Sequence, residues 1–327
     1  MSVKRSLVNQ IVTMCPGLQP GGCKATKNTI AQYKDHTIKF AKWCKDQYGC
    51  RTYEEITANI VRYLNNYSKW LEGEEKTAST IHTYIAGCCA AWQIPMELIS
   101  KPIRHCYEIT RSRGVKASDS HRAAKRDASP RLYDLAECVG IRRHEYLALH
   151  GNNFKLDESG YPCVEVTKGK NGKYQLQRIL PKYVDFVESY FSGSNEYVFT
   201  KKEMNNKIDL HHLRAIVAQE AYQYYLNRLN SEPGYRNQLE REIEARWRRF
   251  RNSPDKRRRE SKSNSRSRVW DVKKVRGIYY LRGENRAVAE KNGFSVSYDR
   301  CAVMAVSIFH LSHWRCNVAI NHYLLAK

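Results

Sequence analysis

Residues whose types could do chemistry are scattered over the C-terminal two thirds of this 327-residue chain. They are two arginines, a lysine, two histidines and a tyrosine: Arg142, Lys170, His211, Arg214, His313 and Tyr323. His211 and Arg214 are three residues apart, so a helix would place them on one face, where the pair could hold an anion. Taken singly, each residue is more often structural or solvated, so their order and surroundings must carry the interpretation.

The local sequence predicts the elements that position these residues. Apolar residues from Leu132 to Val139 have helical spacing, and Gly140 breaks that helix just before Arg142. Alternating residues on both sides of Asn171-Gly172 predict a β-hairpin, because both turn positions need positive φ, and Lys170 lies at its turn. Helical patterning over residues 182–227 places His211 and Arg214 on a helix.

The order of these residues resembles the signature of the tyrosine recombinase (integrase) family. Gly140-Ile-Arg-Arg-His-Glu145 is similar to the family's Gly-Leu-Arg-x-x-Glu box, and Gly169-Lys-Asn-Gly-Lys173 to its Gly-Lys-Gly-x-Lys hairpin. His211-His-Leu-Arg214 matches the His-x-Leu-Arg box. Leu311-Ser-His-Trp resembles the Leu-Gly-His box, and Tyr323 falls where the nucleophile is expected. The resemblance covers about residues 25–227 and 272–327, and five boxes in order are hard to obtain by chance.

The resemblance implies a fold and a domain organisation. The fold class is mainly α with a small β-hairpin or sheet (α+β). An N-terminal helical core-binding bundle precedes a C-terminal catalytic domain. We expect an arm or loop over residues 1–24, a bundle of about four helices over 25–113 and a linker over 114–130. Apolar spacing predicts helices over residues 30–44, 56–71 and 81–92, and Pro95 either ends the third helix or opens a fourth one through about Arg113. The catalytic domain takes 131–327 and contains a basic insertion at about 230–269.

The resemblance also implies a mechanism in which Tyr323 attacks a DNA phosphodiester and forms a 3′-phosphotyrosine link. Arg142 and Arg214 would clamp the phosphate, as planar guanidinium groups do well. Lys170 would protonate the leaving 5′ oxygen. His211 would assist proton removal from Tyr323, while His313 would donate a hydrogen bond to the phosphate.

Three details accompany this assignment. Glu145 is expected to orient an arginine or histidine of the site. Lys168 lies two residues from Lys170 on the same strand face, and Lys170 is favoured as the general acid because it heads the Asn-Gly turn. Ser312 replaces the glycine usual in the Leu-Gly-His box, which bears on the backbone turn more than on the chemistry.

The charge of the chain favours a nucleic-acid partner. The formal net charge is +23, and neutralising DNA phosphates releases counterions. The insertion is either an extra DNA contact or a charged segment that is merely exposed to solvent. Its first half is expected to be helical and its second half a loop. The candidate DNA contacts are Lys168, Lys173, Arg246, Arg248, Arg249, Lys256, Arg257 and Arg258.

Other features of the sequence narrow the class of protein. The eleven cysteines include no Cys-x-x-Cys pair and are interpreted as reduced core residues of a cytosolic protein. The sequence lacks a P-loop and a carboxylate cluster with ligand spacing, so no cofactor and no metal is expected. We find no apolar run of about eighteen residues and no secretion signal at the N-terminus, so no membrane association is expected.

The expected partner is double-stranded DNA with specific recombination sites. The chain would form a homotetramer on synapsed DNA and be a monomer or dimer when free. The expected location is the cytoplasm, in association with the nucleoid or encoded by a virus or plasmid, or the nucleus in a eukaryote. The alternatives are a telomere resolvase or type IB topoisomerase with a similar site, and a catalytically silent DNA-binding protein of the same fold.

Overall fold

The computed structural model describes residues 6–105, 126–170, 174–251 and 271–325, with side chains given to position 249 in the third range. It consists of two compact units that divide between His105 and Cys106. The described residues are mainly helical, with small antiparallel sheets in the second unit, which confirms the α+β fold class. None of the described helices combines the length and apolar character that crossing a bilayer requires.

The first unit is a helical bundle. Its helices are α1 (Leu7–Met14), α2 (Lys27–Tyr48), α3 (Tyr53–Thr57), α4 (Ile60–Gly73) and α5 (Ala78–Trp92), with 3-10 turns at Pro16–Leu18 and Met96–Leu98. Thr26 and Thr77 cap α2 and α5 by accepting backbone N–H groups, and Gly49 ends α2 with a φ of 69°.

Several expectations for this unit were wrong in detail. Residues 7–14 form a helix rather than an arm, because Ile11 and Cys15 are fully buried in the core of the bundle. The expected helix over residues 56–71 divides into α3 and α4. The expected helix from Pro95 to about 113 is only a 3-10 turn up to Leu98, followed by irregular chain to 105. Its remainder, and the expected linker up to 125, lie outside the described residues.

The second unit begins with helices α6 (Pro130–Cys138) and α7 (Arg143–Tyr146). A three-stranded antiparallel sheet follows, formed by β1 (Phe154–Leu156), β2 (Pro162–Val166) and β3 (Gln175–Arg178) in the order β1-β2-β3. The predicted hairpin is β2 paired with β3, with Glu165 opposite Leu176. Two short helices, α8 (Val184–Glu188) and α9 (Lys201–Met204), then lead to the long helix α10 (Leu210–Ser231).

The C-terminal half of this unit packs around α10. Helix α11 (Tyr235–Arg251) contains the first half of the basic insertion, which is helical as expected. Strands β4 (Ile278–Tyr280) and β5 (Ser297–Asp299) pair in an antiparallel ribbon, and α12 (Gly283–Lys291) lies between them in the sequence. Helix α13 (Arg300–Ala305) continues as a π-helical turn, Val306–His310. The described chain ends with α14 (Cys316–Ala319) and a second π-helical turn, Ile320–Leu324.

Candidate active site

Glu145 organises the first arginine of the site. Its carboxylate accepts hydrogen bonds from the backbone N–H of Arg142 at 2.7 Å and from the Arg142 guanidinium at 2.8 Å. A third donor is the side-chain amide of Gln175 at 3.0 Å. Burial opposes ionisation of this fully buried group, but Arg142 and Arg214 prevail and hold the pKa of Glu145 below its ordinary value. Glu145 was expected to orient an arginine or histidine, and the side chain that it bonds is that of Arg142.

The two consecutive arginines of this segment have different tasks. Arg143 donates to the side chain of Asn206 at 3.2 Å and to the carbonyl of Ile208 at 2.6 Å, so it joins α7 to the segment before α10. Burial lowers the pKa of Arg143. Arg142 instead has a side chain that is 20% exposed and bonded to Glu145. Arg142 is thus the arginine with donors left for a ligand.

Arg214 is almost completely buried, at 1% exposure. Its guanidinium donates to the carbonyl of Gly140 and to that of Leu311, the latter at 2.7 Å. It lies 4.0 Å from the carboxylate of Glu145. A side chain at position 140 would place its Cβ 3.1 Å from the Cα of Arg214, tighter than an ordinary contact, so the close approach favours glycine there. Two segments distant from α10, residues 140–145 and the chain at Leu311, therefore meet on this one side chain.

A pocket of about 220 Å³ opens beside these arginines at the start of α10. Its polar lining residues are Arg142, Arg143, Asp209, His211 and Arg214. Three of these five are arginines, and burial keeps water from screening their charge. The pocket therefore has the chemical character of an anion site.

Tyr323 faces this cluster and is 4% exposed. Its hydroxyl lies 3.1 Å from Nε2 of His313, within hydrogen-bond distance. The Cζ atom of Arg214 lies 5.7 Å from the centre of the Tyr323 ring. The side chain of Gln219 on α10 holds the Tyr323 carbonyl at 2.9 Å. A phenol, an imidazole and a guanidinium are thus brought together from three segments.

The backbone before Tyr323 is in an uncommon conformation. Ser312 and Trp314 have φ values of 53° and 58°, in the left-handed region that favours glycine. The backbone N–H of His313, between them, donates to the carbonyl of Ser307 at 2.7 Å. Ser312 therefore adopts, at a conformational cost, a backbone conformation that suits glycine, and the turn directs His313 towards the phenol.

The two histidines of the site are held neutral. Burial, Arg214 and Arg142 lower the pKa of His313 to about 3. Burial and Arg214 also lower the pKa of His211. The His211 ring packs edge-on against Tyr323 with the ring centres 5.4 Å apart. The imidazole of His313 lies within hydrogen-bond distance of the phenol in this structure, whereas the sequence led us to expect proton removal by His211.

The lysine candidates are less constrained than the other site residues. Lys168 and Lys170 are both exposed and follow β2. No hydrogen bond or ion pair joins either lysine to the arginines, histidines or tyrosine of the site within the part of the chain that the structure describes. The choice between Lys168 and Lys170 stays a prediction. Lys173 lies outside the described residues.

Two glutamines on strand β3 belong to the site and were not singled out from the sequence. Gln175 donates to Glu145, and Gln177 donates to Gln175 at 2.7 Å and to the hydroxyl of Ser312 at 3.3 Å. They form a polar path from the arginine-binding carboxylate to the turn that carries His313. The sequence could have indicated them, because Gln175 and Gln177 share one face of the strand that follows the predicted turn at Lys170.

The expected DNA contact at Arg246 was wrong. Its side chain is 1% exposed, and its guanidinium pairs with Asp157 at 2.8 Å and with Glu158. Its guanidinium is paired with internal carboxylates, and its side chain is not exposed to solvent. Arg248 is exposed and pairs with Glu244, and Arg249 is exposed and pairs with Glu158, so both stay candidate contacts. Lys256, Arg257 and Arg258 lie outside the described residues.

The described part of the chain contains no group of three histidine, cysteine or acidic side chains arranged to hold a metal ion. Its polar pocket is lined chiefly by cations, which suit an anionic ligand better than a metal. The described cysteines are free thiols, as expected, and most are buried.

No protein-family model matches the sequence, and a search of curated proteins found no similar sequence. Among solved structures, the chain is similar to one described as a crystal structure of XerA recombinase. The two share 16% sequence identity over 67% of this chain and 84% of that chain, with a TM-score of 0.24. Overlap this low says little about a shared fold, and the site has to be judged on its own geometry.

Proposed function

We propose that this protein is a tyrosine recombinase that cleaves and rejoins DNA strands through a covalent 3′-phosphotyrosine intermediate. The observation that carries the proposal is the position of Tyr323. Its phenol contacts a neutral imidazole and packs beside a guanidinium that is itself fixed by carbonyls of distant segments. The sequence motifs supply the same residues in the order typical of that family.

The chemistry requires one bond to form and one to break. The phenolic oxygen of Tyr323 attacks phosphorus while the bond from phosphorus to the 5′ oxygen breaks. Arg142 and Arg214 stabilise charge on the nonbridging oxygens. The phenolic proton passes to a neutral imidazole, and Nε2 of His313 lies 3.1 Å from the phenolic oxygen. The 5′ oxygen takes a proton from Lys170. Rejoining reverses each transfer, so the phosphodiester energy is conserved in the phosphotyrosine.

His211 and His313 can exchange tasks during such a cycle. Both are neutral beside uncompensated arginine charge, and a bound phosphate would add negative charge to the pocket and raise their pKa values. We assign proton removal to whichever imidazole contacts the phenol and phosphate binding to the other. This arrangement favours His313 for the first task.

The partner we propose is double-stranded DNA with specific recombination sites, and a homotetramer would bind two synapsed sites. The protein would act in the cytoplasm, in association with the nucleoid or encoded by a virus or plasmid, or in the nucleus of a eukaryote. The formal net charge of +23 supports a polyanionic partner. A telomere resolvase or a type IB topoisomerase would use the same residues. These alternatives differ in product: hairpin ends or relaxed circles rather than exchanged duplexes.

The decisive experiment is trapping of the covalent adduct. The protein is incubated with nicked duplexes derived from the DNA that flanks its own gene, in which the short cleaved piece diffuses away and prevents rejoining. We expect a denaturation-resistant adduct that maps to Tyr323. Tyr323→Phe should abolish the adduct while duplex binding survives, because the phenol contributes one buried hydroxyl to the site.

Two arginine variants sharpen this test. Arg214→Ala should lose cleavage by a far larger factor than affinity. The matched change Arg228→Ala removes a half-buried guanidinium of the same helix α10, outside the pocket, that bonds Glu232 and Tyr224. Its cleavage defect should follow its loss of folded protein. Adduct formation by Tyr323→Phe at the wild-type rate would refute the mechanism.

A further inference from the structure

A cluster of buried charges joins the inserted helix α11 to the sheet and is not used by the proposed chemistry. Arg178 on β3 pairs with Asp157 and with Glu242 of α11, each at 2.6 Å. Arg246 of α11 pairs with the same Asp157 at 2.8 Å and with Glu158. We call these five residues the α11 ion cluster. It places helix α11 against the turn between β1 and β2.

Arg246 also binds the backbone of the strand that leads out of the lysine turn. Strand β3 is the edge of its sheet and is buried along its whole length. Glu165 donates its N–H to Asn153 at 2.7 Å, away from β3, so the carbonyl of its partner Leu176 points to the free edge. Arg246 donates to that carbonyl at 2.9 Å. Helix α11 therefore covers the edge that a neighbouring strand would otherwise occupy.

One face of β3 reaches the site. Gln175 donates to Glu145, and Gln177 donates to the hydroxyl of Ser312, next to His313. A shift of β3 along its axis would break these bonds and displace the end of the strand, Gln175, which is five residues from Lys170 along the chain. The guanidinium uses Nε, Nη1 and Nη2 on three different acceptors, so it fixes both the position and the direction of the strand.

We infer that Arg246 is a positioning residue for Lys170: it locks the edge strand β3, and so determines where the lysine turn delivers its proton. The inference rests on the proposed function, because it assumes that Lys170 protonates the leaving 5′ oxygen. It gives the first half of the basic insertion a task inside the catalytic unit. A bulk apolar contact could hold helix α11 but could not set the register of an edge strand through its carbonyl.

The test compares two leaving groups. One nicked duplex carries the ordinary phosphodiester at the cleavage position, and the other carries sulfur in place of the bridging 5′ oxygen. A thiolate leaves without protonation, so loss of the general acid should slow only the ordinary substrate. Rates of adduct formation are measured for wild type, Lys170→Ala, Arg246→Met and the double variant. Arg241→Met, an exposed arginine on the same helix, is the matched control.

We expect Arg246→Met to slow the ordinary substrate at least tenfold more than the sulfur substrate. In the Lys170→Ala background the same change should slow both substrates by one common factor, because the general acid is already absent. Arg241→Met should behave as wild type. Equal slowing on both substrates by Arg246→Met alone, or a selective defect that persists in the double variant, would overturn the inference. If Arg246→Met does not fold, Arg246→Lys is measured in the same way, since one ammonium cannot bond all three acceptors.

This design separates failure of the inference from failure of the proposed function. Wild-type protein that forms no Tyr323 adduct on either substrate would refute the function itself. Wild-type protein that forms the adduct on both, with no substrate-selective defect in the Arg246 variants, would refute only the positioning role.

Discussion

Glu145→Gln is the substitution whose consequence follows most directly from the geometry. The carboxylate accepts three hydrogen bonds, two on one oxygen and one on the other, and lies 4.0 Å from Arg214. A glutamine offers one oxygen, so its NH₂ must face a donor of Arg142 or of Gln175. An unsatisfied buried donor costs about 1–3 kcal/mol. Loss of the counter-charge beside buried Arg214 brings the total to about 3–5 kcal/mol.

The same change should make the pocket more dependent on an anion. Arg142, Arg214 and Glu145 together carry one net positive charge, and the glutamine variant carries two. Phosphate that binds only the folded protein stabilises it by about 2.7 kcal/mol at one hundred times its dissociation constant. Because the variant binds phosphate more tightly, its stability deficit should narrow as inorganic phosphate is added.

The assay is unfolding by urea, followed by circular dichroism, with and without inorganic phosphate. Glu188→Gln, at an exposed position of the second unit, is the control and should change stability by less than about 0.5 kcal/mol. A loss below about 1 kcal/mol for Glu145→Gln would show that the carboxylate does not hold the arginines. A deficit that stays constant across the phosphate series would show that the pocket is not an anion site.

Two further predictions concern the backbone turn and a buried histidine. Ser312→Gly should be about 1 kcal/mol more stable than Ser312→Ala, since both lose the hydroxyl that accepts from Gln177 and only alanine keeps the Cβ that a φ of 53° penalises. At position 189, where φ is −58°, glycine should be less stable than alanine, and glycine less stable at both positions would contradict the strain. His310 is neutral because burial, Arg178, Arg246 and Arg214 lower its pKa to about 3. Below pH 6.5 the unfolded chain binds a proton there that the folded protein does not, so the stability from neutral His310 is complete above that pH and falls by about 2 kcal/mol between pH 7 and 5. His310→Gln should remove this share of the fall and leave the share of His313, whose pKa is also lowered to about 3, whereas exposed His144→Gln should leave both shares in place. Urea midpoints across this range measure both variants, and an unchanged slope in His310→Gln would refute the assignment.

Much of the fold followed from short-range patterns. The apolar spacing of α2, α5 and α10 and the Asn-Gly turn between β2 and β3 predicted these elements because each has an amphipathic face or a required turn conformation. Helix α1 was missed because eight residues form a stable helix only when packed, and here Ile11 and Cys15 provide that packing. The expected helix after Pro95 stops early, and Pro102 disfavours helical geometry at the residue before it.

The sequence by itself determined which residue types the candidate site contains and their order, because helical spacing and turn chemistry act over a few positions. The tertiary structure decided which side chains from distant segments contact one another. It placed His313 within hydrogen-bond distance of the Tyr323 hydroxyl and the ring of His211 edge-on against the Tyr323 ring. It also turned Arg246 inward, onto a carbonyl 70 residues away along the chain. The physical reason is that a pattern fixes which face a side chain occupies, whereas the burial of charge against distant partners depends on how the faces pack.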